Sequence, residues 1–283
     1  MASELLICRG HYRGARRSSL ARECEGMLAI DTLVRYSLAT SLAYVSPDRL
    51  AAGQTEYSQQ LSPQLRFSEQ CTVDELSASC TIFTSVDRPD DLVVAFRGST
   101  ALRNYASMFN LRLVPSRLGG EGKVHTGYQE ASLRLYERLA PLLERRGEAA
   151  AGRLVFVGHS YGGGTATMCA RLHATANQET PGAVSELVTF AGPRVGDAGF
   201  ASSFDAALGK QTTTNLYHDL DPVLAQNQPL WDALGFVHAG RLVRCSATEP
   251  RLLPAEEARS GLPLNFADHA LYLGTYLGPR GGS

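Results

Sequence analysis

Charge imbalance is what this 283-residue sequence has least of: 27 lysines and arginines stand against 28 aspartates and glutamates, for a formal net charge of −1. No global field of either sign draws in a polyanion, so nucleic acid is not expected as a partner. Long apolar runs are also missing. The apolar run near the start, Leu5 to Cys8, falls far short of a secretory leader or a membrane span. The expectation is therefore a chain without a transmembrane segment and without a secretory signal, placed in the cytoplasm. An organellar address is the alternative, because Arg9, Arg13, Arg16, Arg17 and Arg22 beside Ser18 and Ser19 faintly resemble a transit sequence. The six cysteines, Cys8, Cys24, Cys71, Cys80, Cys169 and Cys245, include no C-x-x-C pair and no metal-ligand spacing, so no metal and no cofactor is expected. Free buried thiols are the default. Cys71 and Cys80 flank a short segment and bridge a hairpin only if the protein is exported.

What the sequence does have is a core. At 44% hydrophobic content its length fits one large domain or two small ones. Residues 1–20 read as a flexible basic arm, 21–277 as a single domain, and 278–283 as a disordered tail.

The stretch that organises the chain is Leu154 to Gly164. An apolar run, Leu154 to Val157, leads into Gly158-His159-Ser160-Tyr161-Gly162, and a small-residue helical stretch, Thr165 to Ala174, follows. This is a strand, a sharp turn and a helix. Glycines two before and two after Ser160 clear the space where strand and helix nearly touch, so the serine hydroxyl stands exposed at the strand's end. The Tyr161 N–H then points to where an oxyanion would form. A passenger serine in a glycine turn is the competing reading.

Helical spacing of Met27, Ile30, Leu33, Val34, Leu38, Leu42 and Val45 predicts an amphipathic helix over about 21–45. Residues 46–70 are polar and aperiodic, with Pro47, Gly53 and Pro63, and read as a loop. Cys80–Val86 and Leu92–Phe96 read as adjacent strands joined by the turn Asp87–Asp91. Ser99, after Gly98 at the second strand's end, is placed to turn its N–H into the same site as a second oxyanion donor. In Ala101 to Val114, Leu102, Tyr105 and Phe109 share one apolar stripe with Leu113, the pattern of a lid over the site or of a plain surface helix. Thr126, as N-cap, opens a helix to Arg146. Strand Leu187–Phe190, helix Asp197–Leu208 and strand Thr213–Tyr217 follow, and a last helix spans Phe266 to Leu273. Strands alternating with helices describe an α/β fold, a mostly parallel central sheet with helices on both faces.

An acid at the tip of a strand after the elbow suits a triad in the order serine, acid, histidine. Asp221 is preferred and Asp219 remains open, since both lie at the same tip. Among seven histidines, order leaves His218, His238 and His269. His218 adjoins the acid too closely, and position favours His269 over His238.

With these segments in place the chain resembles the class 3 lipase family of fungal, plant and algal lipases from about residue 25 to 275. The resemblance rests on Val94-Ala-Phe-Arg-Gly-Ser99, Val124-His-Thr-Gly-Tyr128, Gly158-His-Ser-Tyr-Gly-Gly163, Thr189-Phe-Ala-Gly-Pro-Arg-Val-Gly196, Asp221-Pro-Val, Val237-His-Ala-Gly240 and Asp268-His269. It implies an α/β-hydrolase fold with a short helical lid over Ala101 to Asn110. It also implies Ser160 as nucleophile, Asp221 and His269 as its partners, and Ser99 and Tyr161 as oxyanion donors. The activity implied is hydrolysis of acylglycerol or phospholipid esters, with transient contact at a lipid interface through the lid. Soluble esters such as feruloyl esters are the alternative substrates, and a catalytically silent interaction module is the alternative of another class. Tyr161 departs from the family's usual leucine, Leu224 from its proline, and Ala191 from its glycine.

Overall fold

The computed structural model describes residues 28–99, 112–145, 152–177, 183–222, 228–253 and 267–278. The expected basic arm, the lid residues Leu102, Tyr105 and Phe109, and nearly all of the expected tail lie outside them.

Helix α1, Ile30–Leu42, buries Leu33, Tyr36, Ala39 and Leu42 along one face. The stretch read as a loop over 46–70 instead holds two short helices, α2 (Pro47–Ala51) and α3 (Glu56–Leu61), and the start of strand β1, Leu65–Val73. Pro47 occupies the first turn of α2, where a missing N–H costs nothing, and the Thr55 hydroxyl caps α3 by accepting from Ser58 N–H at 2.9 Å. Strand β1 escaped the sequence pattern because a bulge between Phe67 and Glu69 inserts a residue and resets the alternation midway.

Strand β1 pairs antiparallel with β2 (Ala78–Ser85), and β2 pairs antiparallel with β3 (Leu92–Phe96). A small ribbon follows, β4 (Leu113–Pro115) with β5 (Lys123–His125), so the amphipathic segment expected to run to Val114 ends as strand. Helix α4, Thr126–Glu144, is capped by His125 rather than Thr126. The His125 Nδ1 accepts from Gly127 N–H at 3.1 Å and Tyr128 N–H at 3.4 Å.

Then come β6 (Leu154–His159), α5 (Tyr161–Ala176), β7 (Glu186–Phe190), α6 (Ala198–Leu208), β8 (Thr213–Tyr217), α7 (Gln228–Ala233) and β9 (Arg241–Arg244). The sheet runs β1-β2-β3-β6-β7-β8-β9, parallel from β3 onward. Strand β9 went unforeseen because an edge position asks for little apolar content: Leu242 is 46% exposed there. Where a helix was expected over Phe266 to Leu273, Asp268–Ala270 forms one 3-10 turn and a hairpin follows, β10 (Leu271–Tyr272) with β11 (Thr275–Tyr276). Leu273 and Gly274 form its two-residue loop, both at positive φ (52° and 79°), the geometry that matches strand twist.

Period-2 alternation divides the central strands between two cores. Val94, Phe96 and Phe156 face a cluster with Tyr128 and Leu135 of α4, Met168 of α5 and Phe200 of α6. Val93, Ala95, Val155 and Val157 face the other way, against Leu33 and Tyr36 of α1 and Tyr272. Burial on both faces explains why β3 and the Leu154–Val157 run of β6 are apolar. Helix α1 also clasps the last hairpin: Ser37 Oγ donates to Thr275 Oγ1 and Ser41 Oγ to the Tyr276 carbonyl, each at 2.8 Å.

Candidate active site

The carboxyl ends of β3, β6 and β8 converge on one edge of the sheet, and the elbow at the end of β6 sets the geometry there. Ser160 sits at φ 53°, ψ −124°, a conformation costly for a residue with a Cβ. The turn is held by Ser160 N–H donating to the Phe190 carbonyl at 2.9 Å and by Gly163 N–H donating to the Ser160 carbonyl at 2.8 Å. Side chains would break it. A Cβ on Gly158 would stand 2.4 Å from the Gly162 carbonyl oxygen, and one on Gly162 would stand 2.2 Å from that of Phe96. The elbow therefore lies directly against the end of β3, three residues before Ser99.

His269, on the 3-10 turn, places Nε2 2.8 Å from Ser160 Oγ and Nδ1 3.0 and 2.9 Å from the two carboxylate oxygens of Asp221. With a neutral ring, Nδ1–H donates to Asp221, and Nε2 accepts from the serine hydroxyl. Tyr272, three residues on, donates its hydroxyl to Asp221 Oδ2 at 2.6 Å. Burial alone would raise the Asp221 carboxyl. The His269 charge and the hydrogen bonds from His269 and Tyr272 outweigh it and bring the pKa down to about 2. Asp221 thus stays ionised although fully buried.

The other strand-tip acid is committed elsewhere. Arg244 Nε donates to Asp219 Oδ1 at 2.8 Å and Nη2 donates to Oδ2, a bidentate pair with 5% and 9% of the two side chains exposed. Of the remaining histidines, His218 donates from Nε2 to the Asp268 carbonyl at 3.0 Å, bracing the turn before His269. His238 is buried beside Arg194, and burial first, then that cation, lowers it to about 3.

His159, the residue before Ser160 in the elbow, has a structural task here. Its Nε2 lies 2.8 Å from the His269 carbonyl, so Nε2 carries the proton and donates, and Nδ1 accepts from the Tyr44 hydroxyl at 2.8 Å. Burial, with the nearby His269 charge second, lowers His159 to about 3 and keeps it neutral. A Cβ on Gly98 would stand 2.2 Å from Tyr44 Oη and 2.8 Å from the His159 carbonyl. One tyrosine therefore touches both the residue before Ser99 and the brace behind His269. Sequence reasoning missed Tyr44 and Tyr272; Tyr272 lies only three residues past His269, but on strand β10 rather than on the helix expected there.

Tyr161 heads α5. Its ring stacks on Tyr128 with centroids 5.0 Å apart, and its hydroxyl donates to the Leu76 carbonyl at 3.4 Å. Among the described residues no group of His, Cys, Asp or Glu is placed to hold a metal ion, and no helix is long and apolar enough to cross a membrane.

Residues 93–228 match the family described as lipase (class 3). The secreted mono- and diacylglycerol lipase 1 of Fusarium solani is 32% identical over 138 residues, 47% of this chain and 38% of that protein. A lipase of Rhizomucor miehei is 28% identical over 156 residues, 54% of this chain and 41% of that protein. The matches thus span less than half the length of either relative. Lipase II of Rhizopus niveus superposes with a TM-score of 0.74 at 19% identity, over 88% of this chain and 96% of that one, which shows the α/β-hydrolase fold. The Fusarium relative is a secreted protein, and this finding overturns the cytoplasmic expectation. That expectation leaned on the want of an apolar run near residue 1, which does not decide where the chain works.

Proposed function

We propose, for a chain whose residues 93–228 belong to the class 3 lipase family, that it is an extracellular serine ester hydrolase acting on acylglycerol or phospholipid esters. One observation carries the reading: an unbroken hydrogen-bonded series from Ser160 Oγ through His269 and Asp221 to Tyr272. A silent interaction module would have no use for a buried, ionised carboxylate aimed at an imidazole that touches a serine. The names of the Fusarium relative favour acylglycerols and the extracellular location.

In the proposed reaction Ser160 Oγ attacks the ester carbonyl carbon as its proton passes to His269 Nε2. The imidazolium so formed is stabilised by Asp221, which also holds Nδ1 in the protonated tautomer. Backbone N–H groups of Ser99 and Tyr161 are the proposed donors to the tetrahedral oxyanion, helped by the N-terminal end of α5. Collapse returns the proton from Nε2 to the leaving alcohol and leaves an acyl-serine. Water, deprotonated by the same nitrogen, then releases the acid. Leu102, Tyr105 and Phe109 are the proposed lid, with transient contact at a lipid surface.

The test is labelling by a fluorophosphonate with and without a lipid interface, followed by a panel of acylglycerols and phosphatidylcholine. Wild type should label and hydrolyse, and Ser160→Ala should do neither while keeping its fold. Absence of labelling in folded wild type, with an interface supplied, would end the proposal.

A further inference from the structure

Two thiols face each other across the outermost pair of strands, away from the reacting groups. Cys71 and Cys80 are register partners in the antiparallel β1–β2 ladder, inside the in-phase stretch that follows the bulge, from Glu69↔Ile82 to Val73↔Ala78. Directly opposed residues in such a ladder lie about 4.5 or 5.5 Å apart at Cα, and either spacing falls within the ~4.4–6.8 Å that a disulfide spans. Opposed residues also project from the same face, and both cysteines belong to the apolar cluster that α4 covers. Both are free and buried, and each thiol is the foremost influence on the other's titration.

We propose that Cys71 and Cys80 are a cross-linking site, closing to a cross-strand disulfide when the protein meets an oxidant of the disulfide class, such as glutathione disulfide. Geometry alone carries this closure; the bond's presence in the working protein rests on the extracellular location proposed above.

The two sulfurs have different parts. The neighbouring Cys80 thiol lowers the Cys71 thiol despite its burial, and Arg138 and Arg145 of the α4 flank favour its thiolate while Glu69 opposes it. Arg138 is anchored beside it by donating to the Thr72 carbonyl. Cys80 is pushed up by the neighbouring Cys71 thiol and by burial. Cys71 is accordingly the attacking sulfur. As thiolate it attacks one sulfur of glutathione disulfide and expels one glutathione. Cys80 then loses its proton and attacks the Cys71 sulfur, expelling the second. The protein gives up two electrons and two protons, and one glutathione disulfide becomes two glutathiones. Because β1 is the terminal strand of the sheet, opening that edge exposes Cys71 without unfolding the rest. Cys169 is the nearby competitor, but its Sγ already donates to the Ser132 carbonyl at 3.7 Å.

The experiment incubates the full chain in a glutathione redox buffer, blocks remaining thiols, and maps peptides without reduction. No Lys or Arg lies between Phe67 and Asp87, so cleavage after Glu75 is needed to separate the two cysteines. Expected is a Cys71–Cys80 linked pair, about 2 Da lighter than its reduced parts, and a melting temperature raised by roughly 5 °C that Cys80→Ser does not show. A Cys80–Cys169 link, or both thiols still free under an oxidising ratio, would overturn the proposal. Ester hydrolysis by the same samples is scored separately, so loss of activity with the link in place counts against the hydrolase reading alone.

Discussion

Asp219 and Asp221 stand two residues apart at one strand tip, and near-isosteric amide substitutions should separate their tasks. In Asp221→Asn the amide has one oxygen to offer, and the Tyr272 hydroxyl, 2.6 Å from the Oδ2 position, requires an acceptor. The amide oxygen therefore settles there and the NH2 turns to His269 Nδ1, 3.0 Å away at the Oδ1 position. The ring responds by accepting at Nδ1 and carrying its proton on Nε2, facing Ser160, where it can no longer take the serine proton. A wrong tautomer of this kind costs about 10⁴ in turnover, or about 5.5 kcal/mol of transition-state stabilisation. Asp219→Asn instead strips the counter-charge from an Arg244 side chain that is 5% exposed. Breaking a buried pair from one side costs about 3–5 kcal/mol, enough to lower the melting temperature by roughly 10 °C. The surviving folded protein should keep its turnover within a few-fold, because Asp219 contacts neither His269 nor Ser160 in the bonds described. The assay pairs initial rates on a soluble p-nitrophenyl ester at 25 °C with thermal denaturation followed by circular dichroism. The reasoning is refuted if Asp219→Asn abolishes turnover at an unchanged melting temperature while Asp221→Asn still turns over.

Tyr44→Phe leaves His159 Nδ1 without its donor and loosens the carbonyl of His269; kcat should fall several-fold with KM unchanged, and steady-state kinetics showing an unaltered kcat would remove the bracing role. Gly162→Ala sets a Cβ 2.2 Å from the Phe96 carbonyl oxygen, a backbone atom that cannot swing aside, so soluble folded yield should collapse; a well-folded, active variant would contradict the elbow packing. Acid should destabilise the fold early. His159 and His238 are lowered to about 3, while an unfolded histidine titrates near 6.5, so between those values the unfolded chain holds the extra protons. Stability from these two groups is intact above about pH 6.5 and declines as pH falls, with a slope approaching about 2.7 kcal/mol per pH unit for two protons. Urea midpoints that stay level between pH 7 and pH 5 would show that these histidines are not held neutral.

Much of the scaffold was legible because burial on both faces of a parallel sheet writes itself as apolar runs: Leu92–Phe96, Leu154–Val157 and, broken only by Thr189, Leu187–Phe190 all announce their strands. The edges were harder. Strand β1 hid behind its bulge, β9 behind Arg241 and Arg244, and the β10–β11 hairpin behind a Leu273-Gly274 loop in place of Asn-Gly. Position along the chain ordered Ser160, Asp221 and His269 but left Asp219 open, since a period of two places both acids at one tip. Partners distant in sequence separate them: Arg244 of the unforeseen β9 holds Asp219, while His269 Nδ1 and the Tyr272 hydroxyl meet Asp221. Tyr44 lies 115 residues from its partner His159, a separation at which no local pattern operates. The compartment was misjudged for another reason, because composition near residue 1 carries no physical bond to where the chain works.

The clasp between α1 and the β10–β11 hairpin sets a timetable for synthesis. His269 comes 109 residues after Ser160, on the turn that enters that hairpin. A chain emerging from the ribosome completes its elbow, its parallel sheet and the Asp221 tip while the base is still unmade. The imidazole reaches the serine only when β10 and β11 dock on α1 through Ser37 and Ser41. Until that hairpin seats on α1, Ser160 stands without its histidine, so the order in which the segments are made keeps the two apart.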